Sequence, residues 1–274
     1  MINKIIEKKC REIRKEIFIQ AHRAGGAHMG AAFSVTDILG TLYFGDVLKY
    51  RASEPEWPMR DKFILSKGHA GVALYATLAI AGFFSREHLK TFCQCGSNLG
   101  GHPRFKEIPG VEASTGALGH GLSLAIGMAY ANKADNYTSH VYVVLGDGEC
   151  QEGSIWEGAL SAPMLGLDNL TVVIDHNKLQ AMDSLDSIVR MNPLSDKWRA
   201  FGWNVVEIDG HNYGEIREAL ITRKEGKPTL IIANTVKGKG VSFMENVPIW
   251  HYRMPNEQEL LILMDELGLS MSEL

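Results

Sequence analysis

No stretch of this 274-residue chain is long and apolar enough to span a bilayer. Its first residues, Met1 to Glu16, interleave apolar side chains with Lys, Glu and Arg, where a signal peptide would have an apolar core. Cysteine is scarce: Cys10, Cys93, Cys95 and Cys150 contain no Cys-x-x-Cys pair, so neither a zinc knuckle nor a disulfide framework is expected. Free thiols point to a reducing, cytoplasmic setting. Excess positive charge is also missing, and a formal net charge of −4 gives nucleic acid no electrostatic footprint. Repeats, low-complexity tracts and Pro/Gly/Ser linkers are absent as well, which leaves residues 1–274 as one expected domain without membrane or nucleic-acid partners.

What is present is an alternation of helical and strand patterns. Residues 3–24 carry Ile5, Ile6, Cys10, Ile13, Ile17 and Phe18 at helical spacing. A small-residue loop follows, Ala24-Gly25-Gly26-Ala27-His28-Met29-Gly30, and then a helix for which Ser34 or Thr36 is the expected cap. Residues 46–62, with Pro55 and Pro58, read as a surface connection before the short strand Phe63-Ile64-Leu65. Helices are expected up to about Ile80, from Ser85 to Phe92 and from Leu118 to Ala134, with a glycine-rich site loop over 93–117. Further strands are predicted at 141–145, 170–174, 203–208 and 229–235, and further helices at 197–201, 213–223 and 257–267. Nearly all-apolar strands alternating with helices specify an α/β fold, a mostly parallel sheet covered by helices on both faces.

Polar residues gather where such a sheet holds its ligands, at the carboxyl ends of strands. His69 follows one strand, Asp147 a second, Asn177 a third and His211 a fourth. The run Val141-Tyr142-Val143-Val144-Leu145 breaks at Gly146-Asp147-Gly148, and Leu170-Thr171-Val172-Val173-Ile174 ends at Asp175-His176-Asn177. Neighbouring parallel strands ending in Asp147 and Asn177 would hold a hard cation between oxygen donors, and the intervening helix would aim its N-terminus at the anion that the cation carries. His28, His69, His102 and His120 lie in loops of small residues, where glycine lets backbone approach a ligand closely.

Gly-Asp-Gly, followed one strand later by Asn, resembles the thiamine-diphosphate motif. The resemblance extends along nearly the whole chain, which is similar to the N-terminal half of a transketolase, as found where that enzyme is split into two polypeptides. The matching blocks are His22-Arg23-Ala24-Gly25 with His28, Leu65-Ser66-Lys67-Gly68-His69, Gly100-Gly101-His102-Pro103 and Ser114-Thr115-Gly116-Ala117-Leu118-Gly119. They continue with Gly146-Asp147-Gly148-Glu149-Cys150-Gln151-Glu152-Gly153, Asp175-His176-Asn177-Lys178-Leu179-Gln180, and Lys237-Gly238-Lys239-Gly240 through Trp250-His251.

The resemblance implies the thiamine-diphosphate-binding fold and a two-carbon ketol transfer from a ketose to an aldose. By it, Asp147, Asn177 and the Leu179 carbonyl bind Mg²⁺ (or Ca²⁺ or Mn²⁺). His69, Gly116, Leu118, Gly148, Asn177 and His251 contact thiamine diphosphate, and His28, His69, His102 and His251 serve catalysis. Glu152 and Glu157 match glutamates at the subunit interface. The glutamate that activates the cofactor's aminopyrimidine, and the pyrimidine-binding and C-terminal domains, are expected on a partner chain in an α2β2 heterotetramer. The α subunit of a two-oxoacid dehydrogenase is the alternative that the motif admits, and the histidine blocks favour transketolase. Departures from the family pattern fall around the sugar: Met29 and Ala31 in the His28 loop, His120 in place of glutamine, and Tyr252 after His251 in place of glycine. They point to a branched, deoxy or sulfonated sugar analogue.

Overall fold

The computed structural model describes residues 1–181 and 183–274. Its elements run α1 (Ile2–Ala24), α2 (Met29–Phe44), β1 (Lys62–Leu65), α3 (Gly71–Ile80), α4 (His120–Ala134), β2 (Val141–Gly146), α5 (Gly153–Met164), β3 (Leu170–His176) and α6 (Leu185–Ile188). They continue with α7 (Leu194–Ala200), β4 (Asn204–Asp209), α8 (Tyr213–Ile221), β5 (Thr229–Asn234) and α9 (Glu257–Leu267). The five strands form one parallel sheet in the order β1-β2-β3-β5-β4.

Strand period decides which core each residue enters. Along β2, Tyr142 and Val144 face a core built with α1, α2, α3 and α8, while Val141, Val143 and Leu145 face one built with α4, α5 and α7. Because both faces are covered, β2 and β3 are buried throughout, which is why their sequences read as continuous apolar runs. All strands point the same way, so their carboxyl ends share one edge. Register pairs Gly146 with Asp175, which brings Asp147 beside the residues leaving β3.

Helix ends explain where sequence and structure part. Gly25, at φ 72°, closes α1 as a left-handed cap, and Asn256 and Glu259 open α9 with a reciprocal capping box. The expected caps of the second helix are wrong. α2 starts at Met29 with His28 as its N-cap, so Ser34 and Thr36 lie inside it. Residues 29–43 of α2 are all buried, and a core helix of this kind has neither a polar face nor the start signal that a surface helix shows. The helix expected from Leu118 begins at His120, after Gly119 in a left-handed conformation. Residues 86–91 form a 3-10 turn in place of an α-helix, and another spans Gly148–Gln151 before α5. The helix expected at 197–201 begins earlier, at Leu194. Among the described residues, no helix is long and apolar enough to cross a membrane.

Candidate active site

A cleft of about 320 Å³ opens at the carboxyl edge of the sheet, lined by His28, Lys67, His69, Gly116, Leu118, Asp147, Gly148, Asn177, Leu179, Gln180, Lys237 and His251 among others. Each strand contributes through the segment that leaves it. After β2, Asp147 is buried, with Oδ1 accepting the Gly148 N–H at 2.8 Å and Oδ2 accepting the Lys178 N–H at 2.5 Å. The second bond ties the β2 turn to the β3 turn. There Lys178 takes φ +66° and Asn177 Oδ1 accepts the Leu179 N–H at 3.2 Å. The carboxylate, the amide oxygen and the Leu179 carbonyl thus meet at one end of the cleft.

Glu149 is a structural centre that the sequence reading passed over. It is buried, and its carboxylate accepts the Gly119 N–H at 2.9 Å, the Gly146 N–H at 3.0 Å and the Ser66 hydroxyl. One side chain therefore joins the ends of β1 and β2 to the head of α4. Burial raises its pKa, against the pull of those hydrogen bonds. A buried acid directly after Gly-Asp-Gly was the available signal, because such a group requires partners.

Two lysines make the floor positive. Lys67 reaches Asp175 Oδ2 at 2.5 Å and the Ala31 carbonyl at 3.2 Å. Lys237, nearly unexposed, donates to the Gln180 carbonyl at 2.7 Å and lies 3.3 Å from His251 Nδ1. Burial first, then the charge of Lys67, lowers the Lys237 pKa to about 8.

The four expected histidines converge from four separate loops. The His28 ring lies 5.0 Å from that of His251, 5.4 Å from His69 and 6.4 Å from His102, centroid to centroid. Burial, reinforced by neighbouring histidines and lysines, lowers His28 and His251 to about 4 and His69 well below its ordinary value. At neutral pH these three imidazoles are uncharged, each with one donor and one acceptor nitrogen. Glycine makes the convergence possible: a Cβ on Gly116, at φ +139°, would lie 2.9 Å from the His102 ring, and one on Gly68 would lie 2.6 Å from the Gly116 nitrogen.

Other expected residues lie apart. His211 closes β4 but turns away, with Nδ1 2.7 Å from Asp37 Oδ2 and Nε2 accepting the Val236 N–H at 2.9 Å. His22 and His120 are exposed outside the cleft lining, and Glu152 and Glu157 are exposed at the start of α5.

The donor set fits a hard cation carrying an anion. Asp147, Asn177 and the Leu179 carbonyl offer oxygen only, as Mg²⁺ requires. Among the described residues there is no cluster of three or more His, Cys, Asp or Glu suited to a softer ion. Gln180 lines the cleft and its Nε2 is buried without a partner, a spare donor beside Lys237 and the Gly148 turn.

Comparison with known proteins agrees with this geometry. Residues 6–273 match the family described as transketolase, thiamine diphosphate binding domain. One of the two apulose-4-phosphate transketolase chains of Phocaeicola vulgatus, named as a subunit, is 41% identical over 256 residues, covering 93% of this chain and 90% of that one. The 6-deoxy-6-sulfo-D-fructose transketolase subunit SqwG of a Clostridium species is 43% identical over 242 residues, covering 88% of each. Transketolase of Campylobacter jejuni superposes with a TM-score of 0.90 at 31% identity, over 97% of this chain but only 43% of that structure. These matches favour the transketolase reading over the two-oxoacid dehydrogenase one. The chain belongs to the transketolase family, as its thiamine-diphosphate-binding domain.

Proposed function

We propose that the chain is the diphosphate-binding subunit of a two-chain transketolase, moving a two-carbon ketol unit from a ketose to an aldose. The observation that carries this reading is the convergence of His28, His69 and His251 over a cleft walled by Asp147, Asn177 and Leu179. The chain spans about two-fifths of the solved transketolase structures that it matches. The remaining catalytic parts, above all the glutamate for the aminopyrimidine, are assigned to a partner. The subunit names of the relatives that match along most of their length support this division. An α2β2 assembly in the cytoplasm is the arrangement proposed, with residues 1–274 as one diphosphate-binding domain and with Glu152 and Glu157 at the contact between subunits.

Bound thiamine diphosphate supplies a nucleophilic carbon that accepts the two-carbon unit and then releases it. This chain's residues hold and orient. Asp147, Asn177 and the Leu179 carbonyl take Mg²⁺, for which Ca²⁺ or Mn²⁺ would substitute, while Gln180, Lys237, His69 and the Gly148 turn face the diphosphate. Gly116 and Leu118 line the wall. Neutral His28, His69, His102 and His251 hydrogen-bond sugar hydroxyls and move protons at the reacting carbonyl and its neighbouring hydroxyl.

The relatives carry the names of apulose 4-phosphate and 6-deoxy-6-sulfo-D-fructose, which supports a modified sugar as substrate here. The test is reconstitution with the neighbouring-gene partner, thiamine diphosphate and Mg²⁺, over donors that include branched, deoxy and sulfonated ketoses. Two-carbon transfer that needs both chains is expected. An assembled pair that transfers nothing from any donor would refute the reading.

A further inference from the structure

One aromatic side chain at the cleft mouth has no part in the cofactor cradle. Tyr252 follows His251 at the end of the Pro248–His251 turn. Its ring meets the His28 ring edge to face, centroids 4.9 Å apart and planes at 66°. The other end of the ring fills the space over Gly26, where a Cβ would lie 3.1 Å from the phenol oxygen and 3.2 Å from Cε1 and Cζ. Gly26 is not among the glycines with positive φ, so backbone conformation does not demand glycine there. The ring does, because a side chain at this position would have to displace it.

The neighbours of Tyr252 are fixed. Trp250 is buried, and the Arg253 guanidinium stacks over its ring at 4.2 Å. Arg253 also forks onto Glu259 at 2.8 and 3.0 Å, and Glu259 is itself held in the capping box of α9. Tyr252 is nevertheless 60% exposed, and among the described residues its hydroxyl has no hydrogen-bond partner. A held ring with a spare hydroxyl thus stands beside the imidazoles.

The geometry points to Tyr252 as a specificity-determining residue, a wedge admitted by Gly26 that narrows the approach to His28 and reads the neutral, hydroxylated part of the sugar. This rests on the sugar-transfer reading above. A phenol offers a hydrogen bond to a hydroxyl and an apolar face to C–H groups. It offers no charge to a phosphate or sulfonate, and the nearby guanidinium of Arg253 is already paired. The substrate class is therefore a polyol chain whose carbons facing His28 carry hydroxyls, with any anionic group farther out.

The experiment compares Tyr252→Phe, Tyr252→Gly, Gly26→Ser and the double variant Gly26→Ser/Tyr252→Gly, each assembled with the partner. Donor and acceptor panels give kcat/KM ratios. A second readout needs no turnover: the rate at which diethyl pyrocarbonate modifies His28, followed by peptide mass spectrometry. Tyr252→Gly is expected to flatten the sugar preference by about tenfold, the scale of one contact in a substrate pocket. It is also expected to speed His28 modification. Tyr252→Phe should raise KM for the preferred sugar while leaving kcat close to wild type. Gly26→Ser should move the wild-type profile toward that of Tyr252→Gly and have no further effect in the Tyr252→Gly background. Unchanged panel profiles in Tyr252→Gly, or additive effects in the double variant, overturn the wedge. A wild-type assembly that moves no two-carbon unit overturns the function reading and the substrate role with it, while the His28 modification rates still decide whether Tyr252 covers that ring.

Discussion

Lys67 Nζ lies 2.5 Å from Asp175 Oδ2, and the two side chains are 1% and 0% exposed. The pair joins the end of β1 to the end of β3, directly beneath the cleft. Asp175 also accepts from Ser34 at 2.6 Å and from Thr235, which ties in α2 and β5. Burial alone would raise the Asp175 pKa, but the Lys67 charge and these bonds outweigh it and hold the carboxyl below its usual range. Removing one partner leaves a buried charge uncompensated. Lys67→Met should therefore cost about 3–5 kcal/mol in chemical denaturation. Lys67→Met/Asp175→Leu should cost less than Lys67→Met alone, and the reverse order would show that the charge is not what matters.

Asp147 and Asn177 test the cation site. Asp147→Ala and Asn177→Ala should each weaken Mg²⁺-dependent thiamine diphosphate binding by more than the roughly 10–100-fold typical of losing an outer-shell partner. Calorimetric titration of the assembled enzyme measures this. Chelation of the wild type should abolish the same binding signal, and added Mg²⁺ should restore it. Binding that survives both substitutions would place the metal elsewhere.

The histidine cluster makes a prediction about pH. His28 and His251 titrate near 4 when folded and near 6.5 when unfolded. Between those values the unfolded chain binds more protons, so these residues make stability fall as pH drops from 6.5 toward 4 and contribute no slope above 6.5. Melting temperatures of wild type and His28→Asn/His251→Asn should run parallel above pH 7 and diverge below 6.5, with the wild type steeper. Parallel curves down to pH 4 would mean that the imidazoles are not held neutral.

The turn that carries Lys237 is braced from outside the cleft. Val236 N–H donates to His211 Nε2, so that ring is an acceptor there and presents its other nitrogen to Asp37. Arg14 forks onto the same Asp37 at 2.8 and 3.0 Å and also donates to the Lys239 carbonyl at 3.0 Å. His211→Leu leaves the Val236 N–H without its acceptor, costing about 1–3 kcal/mol. It should raise the apparent Kd for thiamine diphosphate through displacement of Lys237, while kcat at saturating cofactor stays near wild type. Loss of kcat with an unchanged Kd would instead give His211 a role in the chemistry.

Several of these relationships lay within reach of the sequence, and others did not. Val141–Leu145 and Leu170–Ile174 announced buried parallel strands because residues covered on both faces are apolar without interruption. Asp147 and Asn177 were legible as oxygen donors because a strand end fixes where the next side chains emerge. The start of α2 was not, since His28 caps it without a side-chain bond and every residue from Met29 to Tyr43 is buried. Glu149 was passed over because its partners, Ser66 and Gly119, lie far away in the chain.

The sequence by itself determined the alternation of strands and helices, the Gly-Asp-Gly turn and the chemical types gathered at the strand ends. These are local properties, set by side-chain periodicity and backbone freedom. Only the tertiary structure decided which of those groups share one cleft. The sheet order and the shared direction of the strands bring four histidine loops together and send His211 away. They also set Tyr252 over Gly26, a contact between opposite ends of the chain that no local pattern encodes.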